Sequence, residues 1–336
     1  TGVDANTDYT NIIISDLDGF EIAHDSTDGT SLVWKTKDTP TPTEHKHYIC
    51  GTECKAIGDH QKEESKITFD KKIWIDGEKL KIGDTEWTYS AYGGDGYVYE
   101  LPAGNYYLDS NITIDGCIRV ESKAVNLCLN GHTITGAGLN GSNAIRVGED
   151  ETSSAEFTLT DCETGNAQGK ITRQSEKLGR GVFVLKNSKF NMYGGSIVGH
   201  KYSADNNGGA GVSAMGTFNM YGGNISNNSA IGGNTYGGGV FAGGTFNMYG
   251  GSITGNTASD GGSGVIVNIS AKTGNVGTFT VSGNVNITDN KTTKGQPDNV
   301  YLEKSEDGTR LASITIGSTL NVSEKIGVRT ANKPTE

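Results

Sequence analysis

The sequence predicts an all-β chain wound as a parallel β-helix solenoid, on three observations. The hexapeptide Phe-Asn-Met-Tyr-Gly-Gly begins at Phe190, Phe218 and Phe246, both intervals being 28 residues, and a fixed period of this size marks stacked supersecondary units. Each copy follows a Gly-to-apolar step (Gly181-Val182, Gly211-Val212, Gly239-Val240) and precedes a short strand-like piece (Ser196-Ile197-Val198, Asn224-Ile225-Ser226, Ser252-Ile253-Thr254). Three strand signals per period, separated by Gly and Asn turns, describe one coil. The 336 residues also include fifty Gly and only five Pro. That load suits tight turns, whereas each Gly inside a helix costs about 1 kcal/mol relative to Ala.

The elements follow in order. Residues 1–40 hold a small N-terminal strand segment, with a β-like patch at Asn11-Ile12-Ile13-Ile14 and strand material up to Val33-Trp34, closed by a Pro40/Pro42 linker. Residues 41–97 form a Cys/His-rich segment followed by charged strands, expected to cap the open edge of the stack. Residues 98–330 form the solenoid of about seven coils. Its inward apolar positions align as Leu127-Cys128-Leu129, Phe157-Thr158-Leu159, Phe190-Asn191-Met192, Phe218-Asn219-Met220, Phe246-Asn247-Met248, Phe279-Thr280-Val281 and Ile314-Thr315-Ile316, at intervals of 30, 33, 28, 28, 33 and 35. Residues 331–336 are linker-like. Because Thr1 follows no Met, the chain is read as a piece of a larger multidomain protein, monomeric within it.

Within each hexapeptide a period of two sends Phe and Met inward and Asn and Tyr outward. Stacking then aligns Asn191, Asn219 and Asn247 beside Tyr193, Tyr221 and Tyr249, with tyrosines about 4.8 Å apart. This column is either an aromatic strip for sugar rings with amides for hydroxyls, or a ladder that only stabilises the sheet. His200, Asn228, Asn256 and Asn290 share a second column, three residues beyond the Ile of each coil. Asn suits such corners and bonds its neighbour in the next coil; His200 either ends the ladder or serves a site in the loop that follows. The loops after this corner are expected to bring Tyr202, Asp205, Tyr236 and Asp260 together. A glycosidase pair of Asp205 and Asp260 would stand about 10 Å apart, just beyond the 6.5–9.5 Å of inverting enzymes.

His47-x2-Cys50-x3-Cys54-x5-His60 supplies two thiols and two imidazoles, the ligand set of a structural zinc site. A Cys50–Cys54 disulfide with solvated histidines is the alternative. Cys128 and Cys162, placed four strand positions apart by the alignment, are expected to be too far apart to bridge.

The formal net charge of −11 excludes a nucleic-acid partner. No apolar run is long enough for membrane insertion. Between Phe190 and Asn290 the only charged residues are Lys201, Asp205, Asp260, Lys272 and Asp289, so that stretch offers hydrogen bonds to neutral polar ligands.

Three pieces carry a resemblance: His45-Lys46-His47-Tyr48-Ile49-Cys50-Gly51; Gly104-Asn105-Tyr106-Tyr107-Leu108 with Leu127-Cys128-Leu129-Asn130-Gly131-His132-Thr133-Ile134; and the Gly-Gly-Gly-Val and Phe-Asn-Met-Tyr-Gly-Gly-Ser-Ile-Thr-Gly-Asn-Thr repeats. Over residues 45–330 the chain resembles adhesin-like, repeat-containing cell-surface proteins of gut Firmicutes. The resemblance implies a right-handed parallel β-helix of pectin-lyase-like shape, secreted or attached to the wall of an anaerobic bacterium. The catalytic motifs of pectin-degrading β-helices are not recognisable. The readings are therefore a glycan-binding module recognising neutral or mucin-type glycans on a host surface, a glycoside hydrolase or polysaccharide lyase, or a non-binding rigid stalk.

Overall fold

A computed structural model describes residues 20–24, 32–36, 45–48, 66–92 and 96–331, except 122, 153, 164, 204–207, 234, 271–272 and 323–324. The Asn11-Ile14 patch, the Pro40/Pro42 linker, Cys50, Cys54, His60, Asp205 and the closing residues 332–336 lie outside them. The chain divides into two units at His45/Lys46, five residues beyond the linker boundary drawn from sequence. In the first, Phe20–His24 pairs antiparallel with Leu32–Thr36.

The second unit is all-β, and its only helical turn among the described residues is Gly165–Ala167. Three walls of parallel strands run along it. Each turn of chain passes through the walls in the same order, the strands Thr245–Thr254, Thr278–Thr288 and Ile314–Val322 each running through two of them, an arrangement consistent with a β-helical solenoid. One turn, for example, runs through Lys189–Met192, Ser196–Val198 and Val212–Ala214, and the next through Thr217–Met220, Asn224–Ser226 and Val240–Ala242. Strands one turn apart pair in parallel, with Phe190 beside Phe218, Ile197 beside Ile225 and Val212 beside Val240.

The core is the inward face of these walls. Phe157, Phe190, Phe218, Phe246 and Phe279 form one stacked column with centroids 5.5, 5.0, 4.9 and 4.8 Å apart. The column is buried; removing such surfaces from water is the main term that stabilises a narrow solenoid. The hexapeptide ends in Gly-Gly for a steric reason. Gly223 and Gly251 adopt φ of +85° and +87°, and a Cβ on Gly251 would lie 2.7 Å from the Gly223 carbonyl oxygen. Any other residue there would meet both a left-handed backbone and the turn beneath it.

Two details differ from the sequence alignment. Val125, not Leu127, lies beside Phe157, so the first interval is 32 residues and Cys128 pairs with Thr160. A slip of two leaves every side chain on its proper face, so alternation alone does not detect it. The parallel wall also begins earlier, since Gly104–Leu108 pairs with Val125–Cys128 and Lys71–Asp76 pairs with Gly104–Leu108. At this end the pairing turns antiparallel: Lys71–Asp76 with Lys79–Ile82, and Ser90–Tyr92 with Gly96–Glu100.

Candidate functional site

The hexapeptide tyrosines stack as the spacing predicts, with Tyr193–Tyr221 at 4.6 Å and Tyr221–Tyr249 at 5.0 Å, each pair inclined by 15°. Their ring faces are therefore turned to one another, and Tyr221 is buried. Burial first, then its two neighbours, raises the Tyr221 hydroxyl well above its ordinary value. The amides are spent in the same way: Asn247 donates to Asn219, Asn219 to Asn191 and Asn191 to Glu156, each at 2.9 Å. Asn191 and Asn219 are buried. A sugar ring would need an exposed aromatic face, and here the inner faces are covered by the stack itself. Of the two readings left open for this column, the stacking and the amide chain favour the ladder, with Tyr193 and Tyr249 half-buried at its ends.

The corner column is internal too. The Oδ1 of Asn228, Asn256 and Asn290 accepts the backbone N–H of His200, Asn228 and Asn256 respectively, each at 3.0 Å. All four side chains are buried. His200 Nε2 bonds the Ile171 carbonyl oxygen at 3.1 Å, while its Nδ1 is buried with no hydrogen-bond partner among the described residues. Burial, with some repulsion from Arg173, pulls its pKa down to about 4. A ring sealed from solvent cannot act on an external substrate, so His200 is a wall residue, not a catalytic base.

The loops beyond this corner are ordered by a small parallel sheet of Lys201–Tyr202, Ser229–Ala230, Thr257–Ala258 and Lys291–Thr292. Tyr202 is buried beneath the Arg180 guanidinium, whose carbon lies 3.7 Å from the ring centroid. Half-buried Tyr236 bridges Gly208 and Gly261. The Asp260 carboxylate accepts the Thr235 N–H at 3.1 Å, which fastens neighbouring loops together. Asp205 lies outside the described residues.

A cavity of about 680 Å³ opens on the N-terminal hairpins, between Lys71, Glu86, Trp87, Tyr89, Glu100 and Tyr106. Trp87 Nε1 donates to the Glu100 carbonyl oxygen at 2.7 Å, and the Tyr106 hydroxyl donates to the Pro102 carbonyl oxygen at 2.9 Å. Both anchor residues are thus held with their polar ends satisfied. Tyr89 stands at the mouth, 53% exposed, its centroid 4.4 Å from Tyr97 and 5.5 Å from Tyr99. Glu86 pairs with Lys79, and Glu100 with Arg119. No periodicity announces this cavity, because its aromatic residues come from an irregular segment (Trp87 and Tyr89) and from one wall strand (Tyr106).

The third feature is a side-chain cluster. His47 Nε2 lies 3.0 Å from Cys128 Sγ and 3.3 Å from Cys162 Sγ, and the sulfurs are 3.4 Å apart. The sequence pointed to His47 but to other thiols, and held Cys128 and Cys162 too far apart. Once Cys128 is paired with Thr160, Cys162 lies two residues past that partner, beyond a bend that returns its sulfur. Asp161 holds the bend by accepting N–H bonds from Gly131 and Glu163 at 2.8 and 3.2 Å, and from Gly169. The hydrogen bond with Cys162, then burial, pushes the Cys128 thiol far up.

Comparison with family models, curated proteins and solved structures finds no match to this chain. Its own geometry is therefore the ground for a functional reading.

Proposed function

We propose that the chain is a non-catalytic glycan-binding module of an extracellular, secreted or wall-attached bacterial protein. In this reading it is a right-handed parallel β-helix whose antiparallel hairpins cap the N-terminal edge. The aromatic cavity takes the glycan, and the Tyr/Asn column is wall. The observation that carries the reading is the cavity itself: about 680 Å³, with the exposed ring of Tyr89 at its edge and buried Trp87 and Tyr106 forming the floor behind it. That volume falls in the range of about 300–1,000 Å³ typical of small-ligand sites. The exposed Tyr89 ring suits the apolar face of a sugar ring, while Lys71, Glu86 and Glu100 in the lining suit hydroxyls. Glu86 and Glu100 are each tied to a cation, Lys79 and Arg119 respectively, which holds their side chains in place in the lining. The closed ladders favour a second role, a stiff stalk, which the same chain can fill.

The test is a glycan array including neutral and mucin-type glycans, probed with the wild type, Tyr89→Ala and Tyr221→Ala. A selective hit is expected, weakened by about 1–3 kcal/mol in Tyr89→Ala, the usual loss at an aromatic hot spot. Tyr221→Ala should bind as the wild type does. A blank array would leave the stalk, a hit abolished only by Tyr221→Ala would return binding to the ladder, and cleavage of the bound glycan, seen by mass spectrometry, would establish an enzyme.

A further inference from the structure

We infer that His47, Cys128 and Cys162 form a zinc site that clamps the strand carrying His47 onto two successive turns of the solenoid. The three ligand atoms lie within 4.8 Å of one another although their residues are 81 and 34 positions apart. The donor set, two thiols and an imidazole, is the one zinc prefers, and three protein ligands leave one tetrahedral position for a water or a further donor.

The spacing can be compared with what an ion demands. Zinc about 2.3 Å from each sulfur and about 2.0–2.1 Å from the nitrogen, at tetrahedral angles, sets the sulfurs about 3.8 Å apart and each sulfur about 3.6 Å from the nitrogen. The observed edges are 3.4, 3.0 and 3.3 Å. Each edge has only to open by about 0.3–0.6 Å to admit the ion. A Cys128–Cys162 disulfide requires a larger movement in the opposite direction, with the sulfurs closing by about 1.4 Å. The metal is therefore the nearer of the two endpoints.

The imidazole is already aimed. The Thr160 hydroxyl lies 3.3 Å from His47 Nδ1, which leaves Nε2 facing the sulfurs. Phe69, itself buried, meets the same ring edge-on at 5.0 Å. Such outer contacts fix the orientation of metal-bound histidines. Cys128 enters from the wall strand Val125–Cys128 and Cys162 from the bend held by Asp161. The balance is simple: Zn²⁺ binds two thiolates and a neutral imidazole, and two protons leave to solvent.

The experiment is zinc analysis of the full chain purified under reduction, together with His47→Ala, Cys162→Ser, and the Cys50→Ser/Cys54→Ser double variant. About one zinc per chain is expected in the wild type and in the double variant, with at least a tenfold loss of affinity in the other two. Because Cys162 is exposed, its replacement should preserve the far-ultraviolet dichroism. Cobalt loading adds a readout that folding alone does not move: the thiolate-to-cobalt charge-transfer band should fall in Cys162→Ser. Zinc that follows Cys50 and Cys54 instead would overturn the proposal. So would a Cys128–Cys162 disulfide found by peptide mapping of unreduced protein, or zinc-free wild type with reduced thiols.

Discussion

His200 is the one ladder position where a titratable ring replaces an amide, and that difference has a measurable size. Its folded pKa of about 4 lies below the ordinary value of about 6.5. Protons are therefore taken up preferentially by the unfolded chain, and stability is lost as pH falls from about 6.5 towards 4. A displacement of about 2.5 pH units limits the loss to about 3.4 kcal/mol, of which about 2.5 kcal/mol is reached between pH 7.5 and 4.5. His200→Asn installs the residue found at the other three positions and removes the titration. The assay is denaturant unfolding of both proteins at pH 7.5 and pH 4.5. Carboxylates common to both titrate over this range as well, so the quantity to read is the difference between the two pH effects, whatever the variant's stability at neutral pH. The variant should lose about 2.5 kcal/mol less than the wild type on acidification. Equal losses in the two proteins would refute the sealed, neutral imidazole.

Two further outcomes concern the walls. Asn228→Ala leaves the buried Ile197 carbonyl and His200 N–H without their partners, which should cost about 2–5 kcal/mol in denaturant unfolding. Half-buried Asn224, bonded to Ser226 and Ser252, should tolerate Ala within about 1 kcal/mol, and equal costs at the two sites would sink the distinction. Phe218→Ala opens the column between Phe190 and Phe246 and should cost about 3–5 kcal/mol by the same assay. A loss below about 1 kcal/mol would mean that the neighbouring rings collapse into the gap.

The fold was legible wherever the repeat was regular. Phe190, Phe218 and Phe246, and the corner residues His200, Asn228 and Asn256, can be placed residue by residue because their equal spacing of 28 admits one register. The turn containing Leu127 was misplaced because Val125-Asn126-Leu127 and Leu127-Cys128-Leu129 alternate equally well, and nothing local distinguishes them. That slip of two concealed the approach of Cys162 to Cys128. His47 was legible as a metal-type ligand, but its two sulfur neighbours lie far away in the chain, while Cys50 and Cys54 are close by in sequence. The sequence left strip and ladder open for the tyrosines because a strand pattern fixes the side of the sheet a ring takes, not whether its faces are already occupied. The aromatic cavity left no trace in the spacing, since Trp87, Tyr89 and Tyr106 belong to no common period.

The matching registers of successive turns have a consequence for how such a chain changes length. Lys189–Met192 lies on Thr217–Met220 just as Thr217–Met220 lies on the first residues of Thr245–Thr254. If the 28 residues 217–244 were excised, Phe246 would meet Phe190, Asn247 would meet Asn191 and Met248 would meet Met192. In this wall the seam would be chemically the same as the two it replaced. Duplication or loss of one period in the gene thus lengthens or shortens this stack of strands by one strand spacing, about 4.8 Å, with its register kept. The length of the stack becomes a heritable quantity that varies in whole steps, independently of the aromatic cavity and the His/Cys cluster.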